Sequence, residues 1–375
     1  MEALFWSSLL GVIYTYLGYP GLLFLWGRWF PRRLSLDTDD EPSVTIILPV
    51  HNEEENLPAK LDNLLALEYP EDKLQIIIVS DGSTDGTVSL AQSRADSDAR
   101  LEVLELAGRG GKGKALQRGV AEARHPIVVF TDAGIILEPG SLRPLVRPFS
   151  DPSVGCVSGE DIIEALGGEG LYGRYELFLR RQESRVHSIV GASGSYYAQR
   201  RELCPEFVPG IAPDLLSVLH TVDLGFRALS EPGARGSMHA VARRSDEFKR
   251  KVRTLVRGMA GVWSYRRLLN PFSSGRFALL LFSHKVLRWS VPFFLIGVAI
   301  SNLALAGQVP YSWLLWPHAA IYAMAVVSMA SLPVLGSTLP ARAAAYFVMV
   351  NVSILAAWWK FVSGDRPEIW TPSKR

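Results

Sequence analysis

Three apolar runs punctuate the first third of the chain: VTIILPV at 44–50, QIIIVS at 75–80 and PIVVFT at 126–131. Each ends in a polar or acidic turn. The turns are His51-Asn52-Glu53-Glu54, Asp81-Gly82-Ser83-Thr84-Asp85-Gly86 and Asp132-Ala133-Gly134. Unbroken β-branched runs of this length read as strands buried on both faces, hence a mainly parallel sheet. The intervening pattern predicts helices over Glu54–Leu67, Thr84–Ala95 and Lys114–Ala123. In an open α/β sheet, ligands lie outside the carboxyl ends of the strands, so the three turns are expected to face one crevice.

The polar pattern stops on either side of this region. Leu4–Trp26 carries no charge, and Leu287–Ala306 carries only Arg288. Each has the roughly 20 apolar residues that cross a hydrocarbon core of about 30 Å. Trp313–Leu335 and Ala343–Trp359 qualify on hydropathy too. The chain therefore divides into an anchor at 1–30, a soluble α/β domain at 42–265, an interfacial segment at 266–286, a membrane region at 287–362 and a tail at 363–375. The anchor lacks the basic start and small-residue cleavage site of a signal peptide. Arg28, Arg32 and Arg33 follow it, which places the soluble domain in the cytosol, at the inner or plasma membrane if the source is bacterial. The basic tail (Arg366, Lys374, Arg375) also points inside, so one of the last two apolar stretches is expected to be re-entrant or interfacial. Asn351 and Trp358-Trp359-Lys360 mark 343–359 as that stretch. The segment RFALLLFSHKVLRW, with its alternation of basic and apolar groups, reads as an in-plane helix before the second span.

Composition narrows the class further. The chain has 375 residues and is 48% hydrophobic, too apolar for a disordered protein. Basic and acidic residues number 39 and 37, which leaves no excess for tracking nucleic acid. Cys156 and Cys204 fit a reducing compartment as buried apolar residues. No span carries the paired ionisable groups of a transport path.

The turns carry the chemistry. Asp81, at the very end of its strand, is placed too early to cap the next helix, whereas Ser83, Thr84 or Asp85 could do so. Glu53 and Glu54 have the same choice between helix-dipole partners and ligand contacts. Gly108-Arg109-Gly110-Gly111-Lys112-Gly113-Lys114-Ala115 approaches a P-loop, but Ala115 stands where a hydroxyl must reach Mg²⁺. Lys114, opening a helix where a cation is disfavoured, is expected beside an anion; Lys112 reads equally well as a solvated surface group. Asp132 can ligate Mg²⁺ or Mn²⁺, although Gly134 occupies the place of a second acid. Carboxylates gathered with glycine turns suit a ribose, a base edge and a metal-bound diphosphate.

In this order and spacing, the NEE turn, DGSTDGT, GKGKALQRG and TDAG resemble the membrane-bound family 2 glycosyltransferases of GT-A (Rossmann-like) fold. The likeness extends over GASGSY at 191–196, Ala212-Pro213-Asp214, the basic stretch Lys251–Gly258 and Trp370-x-Pro372. It implies nucleoside contacts for Glu53 and Asp81, and substrate contacts for Ser83, Lys114, Ser193 and Gly194. Asp132 would stand for the first acid of the DxD metal motif, and Asp214 for the catalytic Asp. Thr254-x-x-Arg257-Gly258 aligns with the QxxRW element beneath the diphosphate. The departures at Thr254 and Gly258 argue against a processive synthase. The function so implied is inverting transfer from a nucleotide-diphosphate sugar, a UDP-sugar by expectation, to a membrane-associated acceptor such as a lipid-linked saccharide. Asp214 would take the acceptor proton, unless it is only an N-cap. A divalent ion at Asp132, with Arg253 and Arg257, would stabilise the leaving diphosphate. Tyr172, Tyr175, Phe178 and Trp263 are either core aromatics or an acceptor platform; His187 and His239 read as structural. Two other readings stay open: a nucleotide-sugar sensor with a disabled site, and a P-loop ATPase.

Overall fold

The computed structural model describes residues 1–35, 41–164, 168–239, 244–330, 336 and 338–365. The chain begins with α1 (Glu2–Ile13), which runs through a π-helical stretch into α2 (Tyr19–Trp29). The soluble domain then alternates strands and helices: β1 (Val44–Val50), α3 (Leu57–Leu65), β2 (Leu74–Ser80), α4 (Thr87–Ala95), β3 (Leu101–Glu105), α5 (Lys112–Glu122) and β4 (Ile127–Thr131). It continues through β5 (Ile136–Leu137), α6 (Leu142–Val146), β6 (Val154–Glu164), α7 (Gly168–Val186), β7 (Tyr196–Arg200), α8 (Pro213–Asp223), β8 (Arg227–His239) and α9 (Arg244–Ser264). After α10 (Pro271–Ser274) come α11 (Arg276–Leu281), α12 (Arg288–Ala304), α13 (Tyr311–Met329) and α14 (Leu339–Val362).

The eight strands form one sheet in the order β3-β2-β1-β4-β7-β6-β8-β5. β1 pairs in parallel with both β2 and β4, and β2 in parallel with β3. β7 is antiparallel to both its neighbours, and β6 returns to parallel pairing with β8. The sheet is thus parallel where the acidic turns lie. The chain leaves β1 toward β2 and β3, then crosses back to β4, so the crevice between β1 and β4 is the topological switch point.

All seven residues of β1 and of β2 are buried, as expected for strands covered on both faces. Alternation splits their side chains between two cores. Ile46, Leu48, Ile76 and Ile78 pack with Leu57, Leu61 and Leu64 of α3 on one side. Ile47, Ile77 and Val79 pack with α5, α8 and α9 on the other. Tyr19 and Leu23 of α2 belong to that second core, as do Val350 and Ile354 of α14. The membrane helices are therefore built into the domain rather than tethered to it.

Among the described residues, four helices are long and apolar enough to cross a membrane: Glu2–Trp29, Arg276–Ala304, Tyr311–Met329 and Leu339–Val362. The second corrects one expectation. Residues 276–286 do not form a separate in-plane helix; they run without a break into α12 through a π-helical stretch, Phe282–Leu287. Phe277, Leu280 and Leu281 are fully buried there against the domain, while Leu279 and Phe282 stay exposed. The helices after the first two strands start later than expected, at Leu57 and Thr87, because Glu53–Asn56 and Asp85 are used in turns. α5 starts earlier, at Lys112.

Candidate active site

The first two acidic turns brace each other. Asn52, at φ 53°, accepts from Thr84 N through Oδ1 at 2.8 Å. Gly86 N donates to Glu54 Oε2 at 2.9 Å, and Glu53 N donates to Thr87 Oγ1 at 2.9 Å. Asp85 Oδ1 accepts from Thr87 N at 3.1 Å, while Ser83 Oγ lies 3.0 Å from Ser80 Oγ. Glu53 is half-buried, and burial pushes its carboxyl upward, with the nearby Asp132 and Asp85 charges adding to the rise.

Asp81 is fully buried, and its carboxylate accepts from the backbone N–H groups of Gly110 (2.6 Å) and Gly111 (2.8 and 3.0 Å). The glycine-rich loop thus wraps an internal carboxylate. Its N–H groups are engaged by Asp81, which leaves the P-loop reading without its phosphate cradle. Gly82, at φ 64°, permits this approach: a Cβ there would lie 3.0 Å from the backbone of both Gly108 and Arg109.

The loop delivers Lys112 into the crevice. Lys112 is buried; its Nζ donates to Asp132 Oδ1 at 2.5 Å and to the Gly194 carbonyl at 2.9 Å. Lys114, expected beside an anion, is instead exposed and lies against Gly110. Helix geometry explains the exchange: α5 begins at Lys112, so that side chain projects from the first turn toward the strand ends. Beneath Asp132, the fully buried Lys60 donates to Thr131 Oγ1 at 3.0 Å and to the Ile135 carbonyl at 2.7 Å. Burial lowers its pKa to about 7, against a smaller upward pull from Asp132. Sequence patterning missed Lys60, because a lysine on α3 reads as a solvated helix position.

Ser193 and Gly194 link Asp132 to Asp214. Ser193 N donates to Ser158 Oγ at 2.8 Å, and Ser193 Oγ donates to Asp161. A Cβ on Gly194 would stand 3.7 Å from the Asp214 carboxyl carbon. Asp214 is the second residue of α8; the N-cap is Ala212, and no side chain caps the helix. The Asp214 carboxylate makes no hydrogen bond among the described residues. Arg257 of α9 lies near Asp214 and donates through Nη2 to the Ile211 carbonyl at 2.9 Å. Its Nε is buried and finds no partner among the described residues. Burial lowers the Arg257 pKa, with Asp214 opposing and Arg253, half-buried one turn earlier, adding to the fall. Asp81, Asp132 and Asp214 are therefore joined by a chain of contacts through Gly110–Lys112 and Gly194.

Other expectations fall elsewhere. Tyr175 and Phe178 pack on the core, and Trp263 is 59% exposed beneath Arg266. His187 bonds Ser188 within the domain. The His239 side chain and the tail motif Trp370-x-Pro372 lie outside the described residues.

The donor set at Asp132 suits a divalent ion in one respect. It is a single, partly exposed carboxylate at a strand end, and Mg²⁺ commonly takes one or two protein carboxylates with substrate phosphates and waters. Among the described residues there is no cluster of three or more His, Cys, Asp or Glu side chains to hold a metal alone.

Comparison with known proteins agrees with this architecture. Residues 45–206 match the model for glycosyl transferase family 2. Poly-beta-1,6-N-acetyl-D-glucosamine synthase of Staphylococcus aureus is 31% identical over 129 residues, 34% of this chain and 31% of that protein. Dolichyl-phosphate beta-glucosyltransferase of Drosophila melanogaster is 41% identical over 105 residues, 25% of this chain and 32% of that one. The chain thus spans about a third of the length of the curated relatives it matches. Mannosyltransferase PcManGT from Pyrobaculum calidifontis, solved in complex with GDP-Man and Mn²⁺, superposes over 96% of this chain and 98% of its own, with TM-score 0.74 and 25% identity. On these matches and this architecture, residues 45–206 form a glycosyl transferase family 2 domain within a GT-A fold, and among the described residues four helices are long and apolar enough to cross a membrane.

Proposed function

We propose that this protein is an inverting glycosyltransferase that moves a sugar from a nucleoside-diphosphate sugar to a hydroxyl of a membrane-associated acceptor, with its catalytic domain in the cytosol. The observation that carries the reading is the chain of contacts that brings Asp81, Lys112, Asp132, Gly194 and Asp214 together at the strand ends, with Arg257 beside Asp214.

The donor would enter at the switch point. Glu53 and the Asp81-braced turn lie where the nucleoside would sit, and Ser83 with them. Lys112 and Arg257 bring positive charge to the diphosphate, whose charge grows as the C1–O bond breaks. Fixed cations aimed at developing charge act without reorganisation, and removing one such group typically costs about 10²–10³ in rate. A divalent ion held by Asp132 and the donor phosphates would supply further charge stabilisation. Asp214, with no internal hydrogen bond to satisfy it, is available to take the acceptor proton as the new bond forms. Attack on the face opposite the diphosphate inverts the anomeric centre. UDP and GDP sugars are both candidate donors: the sequence resemblance suggested UDP, and PcManGT is bound to GDP-Man. Gly258 and Thr254, in place of the Trp and Gln of the QxxRW element, favour transfer of one or a few sugars over chain extension.

The test is a thermal-shift screen of nucleotide sugars followed by turnover of Asp214→Asn. The variant is expected to keep donor stabilisation while losing about 10²–10⁴-fold in transfer. Transfer at the parent rate would remove Asp214 from the chemistry, and no response to any donor would remove the proposal.

A further inference from the structure

A cavity lies behind the loop that carries Ser193 and Gly194, where α12 and α14 meet the domain. Its volume is about 330 Å³, and it lies between α7, α9, the start of α12 and α14. Five cations line it, Arg180, Arg250, Lys251, Lys285 and Arg288, against two carboxylates, Asp161 and Glu176. Glu247 holds Arg250 and Lys251 from outside the lining, and Glu176 pairs with Arg288. Two groups remain unsatisfied. Arg288 is 7% exposed, and its buried Nη2 has no hydrogen-bond partner among the described residues. Lys285 makes no hydrogen bond or ion pair among the described residues. A half-buried ammonium and a buried guanidinium with a spare N–H both gain from an anion that meets them.

Apolar groups stand among these charges. Leu177, Trp289, Tyr346, Val350 and Ile354 line the cavity, the last four on helices long enough to cross a membrane. The cavity also shares a wall with the active site. A Cβ on Gly191 would lie 3.5 Å from Lys285 Nζ, Arg180 Nη2 donates to the Ala192 carbonyl at 3.4 Å, and Asp161 accepts from Ser193. The next residue, Gly194, borders Asp214.

We infer that this cavity binds the phosphate of a long-chain lipid whose headgroup carries the accepting hydroxyl. Lys285 and Arg288 hold the phosphate, the chain leaves along α12 and α14, and the hydroxyl reaches past Gly194 toward Asp214. In the transfer, the hydroxyl oxygen bonds C1 of the donor sugar, the C1–O bond to the diphosphate breaks, the proton goes to Asp214 and the nucleoside diphosphate leaves. This assignment rests on the proposed transferase reading, but its binding test does not require turnover.

The experiment is native mass spectrometry of the full-length protein with dodecyl phosphate, dodecanol or inorganic phosphate. Dodecyl phosphate is expected to bind in one copy, and the other two at least about tenfold more weakly, since both charge and chain are used. Lys285→Gln strands no partner and is expected to weaken dodecyl phosphate about tenfold, while the same change at exposed Lys249 leaves it bound. Equal binding of dodecanol, or parent affinity in Lys285→Gln, would overturn the site. Competition then distinguishes the source: displacement by a polyprenyl-diphosphate sugar points to a lipid-linked saccharide, and displacement by phosphatidylinositol to a bilayer glycolipid precursor. Displacement by neither would overturn the acceptor role. If the lipid binds as expected but no donor is ever turned over, the transferase reading fails instead.

Discussion

Two lysines show how much the local frame decides at the residue scale. Lys112 and Lys114 are two positions apart in a glycine-rich run, and spacing alone ranks Lys114 as the anion partner. The backbone reverses that order, because Asp81 pulls Gly110 and Gly111 inward and starts α5 at Lys112. Lys112→Met is expected to lower kcat/KM for the donor about 10²-fold, as loss of a fixed cation at a developing charge does. Unchanged kcat/KM would show that the ammonium only fills space beside Asp132; a gain would show that it competes with the metal. Lys60 yields a pH prediction. Its pKa is about 7 in the fold, against about 10.4 for an unfolded lysine. Between those values the unfolded chain binds more protons, so stability rises with pH from about 7 toward about 10. Lys60→Met should flatten this slope in apparent melting temperature. A slope identical to the parent's would mean that the lysine keeps its charge inside. Neither lysine's role was legible in the sequence, since both depend on contacts 20 to 82 residues away.

The scale of elements was far more legible. Three strand runs with buried side chains on both faces, and the helical run after Asp214, announced themselves because hydrophobic periodicity is a local signal. The antiparallel insertion of β7 between β4 and β6 was not visible, since strand order depends on long-range pairing. Close packing between elements is equally hidden. A Cβ on Gly119 would lie 2.6 Å from Ile47 Cγ2, so α5 sits on β1 without room for a methyl group. Helix propensity favours Ala over Gly by about 1 kcal/mol. Overpacking a buried site typically costs about 1–3 kcal/mol. The second term is expected to win, because Ile47 is itself fully buried and has nowhere to move. Gly119→Ala should therefore lower the melting temperature by a few degrees and displace the helix that presents Lys112. A higher melting temperature would mean that the strand and helix can separate at little cost.

For the whole molecule, hydropathy marks four membrane-length helices but cannot distinguish a helix that crosses from one that lies in the interface. The packing of α14 bears on this. Tyr346, near its start, meets Tyr172 of α7 at 5.6 Å between ring centroids and lies 4.9 Å from the Lys251 ammonium of α9. Trp358, about 18 Å further along the helix axis, donates through Nε1 to the Trp289 carbonyl at 2.9 Å, in the first turn of α12. The residue before Trp289 is Arg288, whose guanidinium lies 5.3 Å from the same Tyr172 ring. Both ends of α14 thus touch groups gathered where the soluble domain meets α12. A helix leaving that surface along the bilayer normal would lose such neighbours after a turn or two. We expect α14 to lie across the membrane-facing side of the domain, which puts the tail on the same side as the active site and matches its basic residues. In a Cys156→Ala, Cys204→Ala background, Asp365→Cys and Lys249→Cys should both react with an impermeant maleimide in vesicles of the same orientation. Labelling in opposite orientations would mean that α14 crosses, and the cavity between α9 and α14 would then have to open toward the lipid by a different route.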